Sequence, residues 1–247
     1  MFNTTPFVAP GQPVGNPPEE DALNSTSSAA ADLSQEYNLR FSHLADYRRR
    51  VWHILVTKYF QPLLGSDQAI LDLGCGWGEF VNEVQARQKF AMDLNPDAPR
   101  YLAPDVKFLQ QDAATEWSLP TASLDVIFTS NFFEHFPTKE SLGRAVAEAY
   151  RCLKPGGRLV CLGPNLRYVG VAYWDFYDHH LPLTDQSLGE LLQMREFRIE
   201  ECLPRFLPFT MARGRLPPVW TVSVYLAVPL LWRLFGRRFL VVGRKPD

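Results

Sequence analysis

The sequence predicts an α/β protein with a mostly parallel sheet that is covered on both faces. Short apolar runs of strand length alternate along the chain with segments of helical period. One of these runs enters a glycine-rich turn, Gly74-Cys75-Gly76-Trp77-Gly78, which a helical pattern follows. This alternation is typical of parallel strands joined by crossover helices. The length of 247 residues is sufficient for one large domain with a substantial core.

The N-terminal segment 1–33 is rich in Pro, Ser, Asn and Ala and contains few large aliphatic residues. Because it cannot bury enough apolar surface to offset its chain entropy, we expect it to be disordered. One folded domain is expected over 34–247. Its first part, 34–64, reads as one or two amphipathic helices, with apolar positions at spacings of three and four in "YRRRVWHILVTKYF".

The elements that follow are predicted from short apolar runs and from helical periodicity. The predicted strands are 69–73, 89–93, 106–110, 124–130, 158–163, 197–203 and 238–244. The predicted helices are 78–87, 142–153 and 185–194. A long segment, 205–237, is then an apolar and basic insertion before the last strand.

Within this insertion, "VWTVSVYLAVPLLW" (219–232) contains fourteen residues without a charge. It is too short and too interrupted by Pro to read as a transmembrane helix. One interpretation is a core or lid helix. The other is peripheral contact of 213–239 with the inner face of an anionic membrane, since five arginines flank the run: Arg213, Arg215, Arg233, Arg237 and Arg238.

Composition excludes several classes of protein. The net charge of −2 argues against a nucleic-acid-binding protein. The four cysteines contain no C-x-x-C pair and indicate neither a zinc ribbon nor a disulfide framework. No signal-peptide pattern is found at the N-terminus. We therefore expect a cytoplasmic protein with reduced thiols.

The glycine-rich turn and three acids predict a nucleoside-containing cofactor. The pattern is G-x-G-x-G, and Glu79 stands where a dinucleotide fingerprint needs glycine. Asp72 precedes the turn, where it suits a cationic amino group better than a pyrophosphate. Asp93 ends the second strand, where an acid can accept two hydrogen bonds from a ribose diol. Asp112 follows the third strand, where it can accept from an adenine amino group.

These motifs resemble those of the class I S-adenosylmethionine-dependent methyltransferases, in particular methyltransferase type 11. The resemblance covers about 65–205 and the last strand. It is carried by "LDLGCGWGEF", "AMDLN", "QQDA", "LDVIFTSNFFEHF" and "LKPGGRLV", in that order. It implies a Rossmann-like, doubly wound, seven-stranded sheet whose last strand is antiparallel, with the cofactor S-adenosyl-L-methionine across the carboxyl ends of the first and fourth strands.

The resemblance also implies the cofactor-binding residues. In that family the glycines shape the turn on the methionine side, and the residues after the fourth strand border the sulfonium. The expected set is Asp72, Gly74, Cys75, Gly76, Gly78, Asp93, Leu94, Asp112, Ala113, Asn131 and Phe132. One arginine of "YRRR" is a further candidate, for the cofactor carboxylate.

A general base is a separate question, because an acceptor hydroxyl must lose its proton whereas a carboxylate need not. The candidates are His135 in "FFEHF", and His179 and His180 in "YWDFYDHHLPLT". The last two lie in a long loop after the fifth strand, at the expected ligand-binding edge. These histidines could instead hold the loop in place. We expect no metal site, since neighbouring histidines in an extended segment point in opposite directions.

We predict methyl transfer to a hydroxyl of a small-molecule, glycan or lipid-linked acceptor. The absence of an N-P-P-Y motif, where "SNFFEH" stands, disfavours a nucleobase amine. Two alternatives stay open: a cofactor-binding scaffold or sensor without turnover, and carbon or nitrogen methylation of a small metabolite. A nicotinamide enzyme is disfavoured by Glu79 and Asp72. The oligomeric state is not predicted.

Overall fold

The computed structural model describes residues 44–209 and 216–247. The predicted disorder of residues 1–33 lies outside these ranges, as do Arg213 and Arg215.

A seven-stranded sheet forms the centre of the molecule, with strand order β3-β2-β1-β4-β5-β7-β6. The strands are β1 (Ala69–Leu73), β2 (Gln88–Asp93), β3 (Val106–Gln110), β4 (Leu124–Ser130), β5 (Leu153–Pro164), β6 (Arg198–Leu207) and β7 (Arg238–Arg244). The pairs among β1 to β5 are parallel. The last strand, β7, is antiparallel to both β5 and β6. The predicted fold class is therefore confirmed.

Seven α-helices and several short helical turns connect the strands in the described part of the chain. The α-helices are α1 (Ala45–Leu55), α2 (Gln61–Leu64), α3 (Lys139–Cys152), α4 (Leu166–Val169), α5 (Asp185–Met194), α6 (Trp220–Ala227) and α7 (Pro229–Phe235). A π-helical turn, Val56–Phe60, joins α1 to α2. The 3₁₀ segments are Ala98–Tyr101, Phe133–His135 and Gly170–Asp175.

The helix predicted over 78–87 is not formed as a regular element. Isolated helical hydrogen bonds join Asn82 N to Gly78 O and Val84 N to Phe80 O, but the segment consists of turns. The side chain of Asn82 holds the segment to the loop after β2: its Nδ2 donates to Tyr101 O at 2.8 Å, and its Oδ1 accepts from Ala103 N at 2.8 Å. These contacts are tertiary, so helical periodicity could not reveal them.

The two faces of the sheet carry two apolar layers because side chains alternate along each strand. Leu71 and Leu73 of β1 face the layer that contains α3 and α5. Ile70 of the same strand faces the layer that contains α1, α2 and the aromatic side chains Phe60 and Phe128. All five residues of β1 are buried, as expected for a central parallel strand.

The apolar insertion folds as α6 and α7, which break at the Val228–Pro229 junction. Only part of it packs inward: Val222, Tyr225, Leu226 and Trp232 contact the α1 side of the core. Neither helix has a buried residue, so the segment lies on the surface of the core, and the interpretation as a core or lid helix stays a prediction. Among the described residues, no helix has both the length and the apolarity to cross a bilayer.

Candidate functional site

The candidate site lies where the carboxyl ends of β1, β4 and β5 meet, and we call this space the crevice. Three segments border it: the turn Gly74–Gly78 (the glycine turn), residues 131–135 after β4, and residues 165–184 between β5 and α5 (the β5–α5 loop). In open α/β sheets this edge is where ligands bind. The glycine turn is tied to β2, since the N–H groups of Gly74 and Cys75 donate to Met92 O at 2.9 and 3.2 Å.

The glycine turn requires glycine for two separate reasons. Gly74, Gly76 and Gly78 all have positive φ, of 71°, 53° and 72°, where L-residues are strained. A Cβ at Gly74 would also lie 2.3 Å from the ring of Phe132. The turn thus presents bare backbone to its surroundings. Cys75 is buried and its pKa is raised well above the usual range by burial, which argues against a nucleophilic role.

Asp72 is a buried carboxyl at the base of the glycine turn. Burial and the nearby Glu79 raise its pKa well above the usual range, because both disfavour the ionised form. A cationic group placed beside Asp72 would reverse this effect. Arg48 of α1 reaches the same region and pairs with Glu79 at 2.6 Å. Of the three arginines in "YRRR", Arg48 is thus the one next to the glycine turn, whereas Arg49 and Arg50 are exposed.

The carboxylate of Asp93 accepts backbone hydrogen bonds from the glycine turn and from the residues after β2. Its Oδ2 accepts from Gly76 N at 2.8 Å, and its Oδ1 accepts from Asn95 N at 2.9 Å. Burial raises its pKa in spite of these bonds. The carboxylate therefore fixes the glycine turn relative to β2, and each oxygen keeps a lone pair for a diol. Leu94, the next residue, is exposed.

The residues predicted for the adenine side lie after β3. Asp112 is exposed, and its Oδ1 accepts from Ala114 N at 2.8 Å. Ala113 is buried, and its carbonyl accepts from Trp117 Nε1 at 3.0 Å. The Asp112 side chain is thereby oriented while it remains accessible to a ligand.

At the end of β4 the chain turns sharply. Asn131 has a positive φ of 49°, and its N–H donates to Leu162 O at 2.8 Å. The following residue, Phe132, lies against Gly74. Positive-φ glycines, a buried carboxyl that needs a cation and a second acid fit a ligand with an ammonium group and a ribose diol. The residues present therefore fit S-adenosylmethionine.

The β5–α5 loop is fixed by its own residues. Tyr173 is fully buried, and its hydroxyl donates to Leu181 O. The N–H groups of His180 and Leu181 both donate to the carbonyl of Glu134, at 2.9 and 3.0 Å. The loop therefore lies on the segment after β4. Thr184 caps α5 in a reciprocal capping box with Ser187.

The three candidate histidines have different environments. His179 is buried and stacks on Phe176, with ring centroids 4.9 Å apart. His180 is exposed. The Nδ1 of His135 lies 3.1 Å from Asp178 Oδ2. Although burial opposes the charged imidazolium, the hydrogen bond that His135 donates to Asp178 and the charge of Glu134 raise the pKa of His135 to about 9.

Glu134, His135 and His179 have potential metal-ligand atoms that all lie within 4.8 Å of one another. The observed cluster has an explanation without an ion, because His135 is already paired with Asp178. Glu134 itself is buried, and burial raises its pKa. The absence of a metal site remains a prediction.

Sequence reasoning missed the role of Arg238, which it treated as part of a basic flank. Arg238 begins β7 opposite Pro164, the last residue of β5. Its Nη2 donates to Ser130 Oγ at 3.2 Å, whereas its buried Nε has no acceptor within residues 44–209 and 216–247. Burial lowers its pKa to about 10, so it remains cationic at neutral pH. Only the β5–β7 register could have placed it at the crevice.

Comparison with known proteins identifies the type of domain. Residues 71–161 match the family model described as "Methyltransferase domain". This segment runs from β1 into β5 and contains the glycine turn and residues 131–135.

Named relatives and solved structures agree with the domain match. The chain is 29% identical over 179 residues to a demethylmenaquinone methyltransferase of Thermus thermophilus, covering 67% of this chain and 71% of the relative. It is 24% identical over 168 residues to the ubiquinone/menaquinone biosynthesis C-methyltransferase UbiE of Brucella anthropi, covering 62% of this chain and 58% of the relative. A SAM-dependent methyltransferase structure from Archaeoglobus fulgidus aligns with a TM-score of 0.62 at 21% identity, covering 83% of this chain and 99% of that one. At that identity, the structural match shows the fold alone.

Proposed function

Because the chain is a class I S-adenosylmethionine-dependent methyltransferase, we propose that it methylates an acidic hydroxyl of a small-molecule acceptor. When bound, the cofactor supplies an electrophilic methyl group. The proposed cofactor-binding side chains are Asp72 for the ammonium group, Asp93 for the ribose diol and Asp112 for the adenine. The glycine turn admits the cofactor closely.

The observation that carries this proposal is the half-buried Arg238 at the crevice, whose buried Nε–H finds no acceptor among the described residues, whereas the protonated His135 is paired with Asp178. A hydroxyl acceptor attacks as its anion. Positive charge within a few ångströms lowers the pKa of such a hydroxyl and stabilises the anion. This cation therefore suits a phenol or an enol better than an amine, which would enter as a like charge.

The three histidines then have different proposed roles. At neutral pH His135 is already protonated, so it does not serve as a base, and its charge is balanced by Asp178. His179 is enclosed by Tyr173, Phe176 and His135, with ring centroids 4.6, 4.9 and 5.2 Å away, and holds the loop. An acidic hydroxyl can lose its proton to water, so no dedicated base is required. Of the three side chains, only that of His180 is exposed enough to assist.

Carbon methylation of a hydroxylated ring is the second candidate. It is favoured by the relatives, one called a demethylmenaquinone methyltransferase and the other a C-methyltransferase. The anion of a hydroxylated aromatic ring carries negative charge on ring carbons as well as on oxygen. The same cationic surroundings would therefore serve both reactions, and the position of the acceptor would decide which atom attacks.

The test is an assay of the full-length protein with a labelled methyl donor against catechols, hydroquinones, enols, amines and simple alcohols. We expect turnover of the acidic hydroxyl compounds, and NMR of the product distinguishes an O-methyl from a C-methyl group. Turnover of amines alone would contradict the proposal. Binding of S-adenosylhomocysteine without turnover of any acceptor class would favour a scaffold or sensor.

Arg238 offers a variant that tests the electrostatic argument. Arg238→Met should lower kcat/KM for the phenolic acceptor about 10- to 100-fold, the usual worth of a charged hydrogen bond, while Arg238→Lys recovers part of it. The matched control is Arg244→Met at the opposite end of β7, where the guanidinium lies 3.5 Å from Asp247. Equal losses in the two methionine variants would indicate a general effect on β7 and would count against a role for Arg238.

A further inference from the structure

The helices α6 and α7 display an apolar surface for which the described chain offers no cover. Five of their large side chains are about half to two-thirds exposed: Trp220 65%, Val224 48%, Leu230 62%, Leu234 58% and Phe235 59%. We call these five residues the apolar patch. Scattered single apolar residues are normal on protein surfaces, but a group of this size on two consecutive helices marks an interaction site.

The composition of α6 explains why the patch exists. The helix reads WTVSVYLA and carries no charge on any face. Tyr225 and Leu226 pack inward, whereas Trp220 and Val224, one turn apart, face outward. A soluble surface helix would place polar side chains at those two positions. The outer face of α6 therefore has the character of a buried face.

Positive charge adjoins the patch. Arg233 lies in α7, one residue before Leu234, and Arg237 follows the end of that helix; both are exposed. Residues 205–247 contain seven arginines and one lysine against a single acid, Asp247 at the far end. Apolar side chains beside unopposed arginines are typical of segments that lie in the interface of an anionic bilayer. A protein partner would need acidic groups arranged around an apolar centre. An anionic bilayer offers both features over its whole surface, so it meets the requirement more simply.

The patch is also at the crevice end of the sheet. Its segment leaves the sheet after Leu207 of β6 and returns at Arg238 of β7, and these two residues are paired. Arg238 is also paired with Pro164, where the β5–α5 loop begins. That loop contributes further exposed aromatic side chains, Trp174 at 51% and Tyr177 at 93%.

We propose that the apolar patch, with Arg233 and Arg237, docks the protein onto the surface of an anionic lipid bilayer. The exposure of α6 and α7 and the charge beside them carry this proposal. The inference does not depend on which atom is methylated.

The test is flotation of the full-length protein with vesicles of phosphatidylcholine alone or mixed with phosphatidylglycerol. Wild type should float with the anionic vesicles only, and less at high salt. Leu230→Ser should weaken the binding about tenfold, as expected from the loss of one buried leucine. The matched control is Met194→Ser, which removes an apolar side chain that is 74% exposed at the end of α5.

A second pair of variants tests the charge. Arg233→Gln should weaken binding about fivefold, as expected for one interfacial arginine, whereas the exposed Lys139→Gln at the start of α3 should not. The inference is overturned if wild type does not float, if it floats equally with neutral vesicles, or if all four variants behave alike. It is also overturned if sedimentation shows a dimer that Leu230→Ser dissociates, since the patch would then bind a second copy.

Discussion

Asp72 is a carboxyl that the fold buries within reach of two other acids, Glu79 and Asp93. Such an arrangement costs free energy in the unliganded protein, because burial and like charges both disfavour ionisation. Folding raises the pKa of Asp72. The protonated carboxyl therefore stabilises the folded protein at low pH, and this contribution is lost as pH rises through the folded-state pKa. A buried group that lowers stability in this way is typical of a binding site.

Replacing Asp72 should therefore separate stability from binding. In Asp72→Asn, we expect S-adenosylhomocysteine affinity to fall about 10- to 100-fold, because a charged hydrogen bond is lost. The melting temperature of the unliganded protein should stay the same or rise. Calorimetric titration and thermal unfolding measure the two effects. Asp67→Asn, an exposed acid before β1, is the control, and unchanged affinity with a lower melting temperature in Asp72→Asn would contradict this role.

The pair of His135 and Asp178 makes a prediction about pH. Folding raises the pKa of His135 from 6.5 to about 9. The pair therefore stabilises the protein fully below about pH 6.5, and this contribution is lost as pH rises through about 9. In Asp178→Asn, the loss of stability relative to wild type should be largest at low pH within this range and should shrink towards pH 9.

NMR titration of the histidines provides the direct measurement. The pKa of His135 should fall in Asp178→Asn, and any alkaline decline in kcat/KM should move to lower pH with it. A uniform loss of stability at every pH, with no change in the titration of His135, would show that Asp178 acts only through packing.

Residues within one motif were predictable, whereas residues brought together by the fold were not. The order of strand, turn and acid places Asp72, the glycine turn and Asp93 at one edge of a parallel sheet. His135 and Asp178 are separated by 43 positions, and their contact depends on how the β5–α5 loop lies over the segment after β4. No local pattern contains that information.

Among the elements, the glycine turn depends most strictly on residue type, because Gly74 has no room for a Cβ. The variant Gly74→Ala tests this. The new methyl group would be strained at a φ of 71° and would contact Phe132 at 2.3 Å. We expect a loss of about 3 kcal/mol in unfolding free energy, together with lost cofactor binding. Chemical denaturation and titration with S-adenosylhomocysteine are the measurements.

Gly170→Ala is the matched control for this turn. Gly170 also has a positive φ, of 66°, but a Cβ there would meet nothing within 4 Å. The loss of unfolding free energy in Gly170→Ala should therefore be limited to the backbone strain of about 1 kcal/mol. If the two alanine variants lose the same stability, the close approach of Phe132 to the turn has no energetic importance.

Element boundaries followed the sequence where the local pattern and the tertiary structure agree. The bounds of β1, β3, β4, β7 and α5 are as predicted. The start of β5 is five residues earlier than predicted, at Leu153, so that Lys154-Pro155-Gly156-Gly157 are part of the strand. Those residues join the strand through a register shift opposite Leu124 and Val126, which only the neighbouring strand can define.

For the whole molecule, the aromatic cluster around Phe60 joins the N-terminal helices to the sheet. Phe60 lies between Phe80, Phe128 and Phe206, with ring centroids 6.0, 5.0 and 6.3 Å away. These partners belong to the segment after the glycine turn, to β4 and to β6. One side chain of the helical segment therefore contacts both halves of the sheet.

Phe60→Ala should accordingly destabilise the molecule by about 3–5 kcal/mol, as expected for a large cavity in a core. Phe235→Ala, which removes a ring that is 59% exposed, should cost less than about 0.5 kcal/mol. Urea unfolding compares the two variants. Similar losses would imply that α7 is held against the body of the protein as firmly as the aromatic cluster is.

The pairing of Leu207 with Arg238 has one more consequence. The chain between them leaves the sheet after Leu207 and re-enters it beside the same residue, where Arg237 N donates to Leu207 O at 2.8 Å. Strand register therefore fixes both ends of the insertion and holds Arg238 at the crevice.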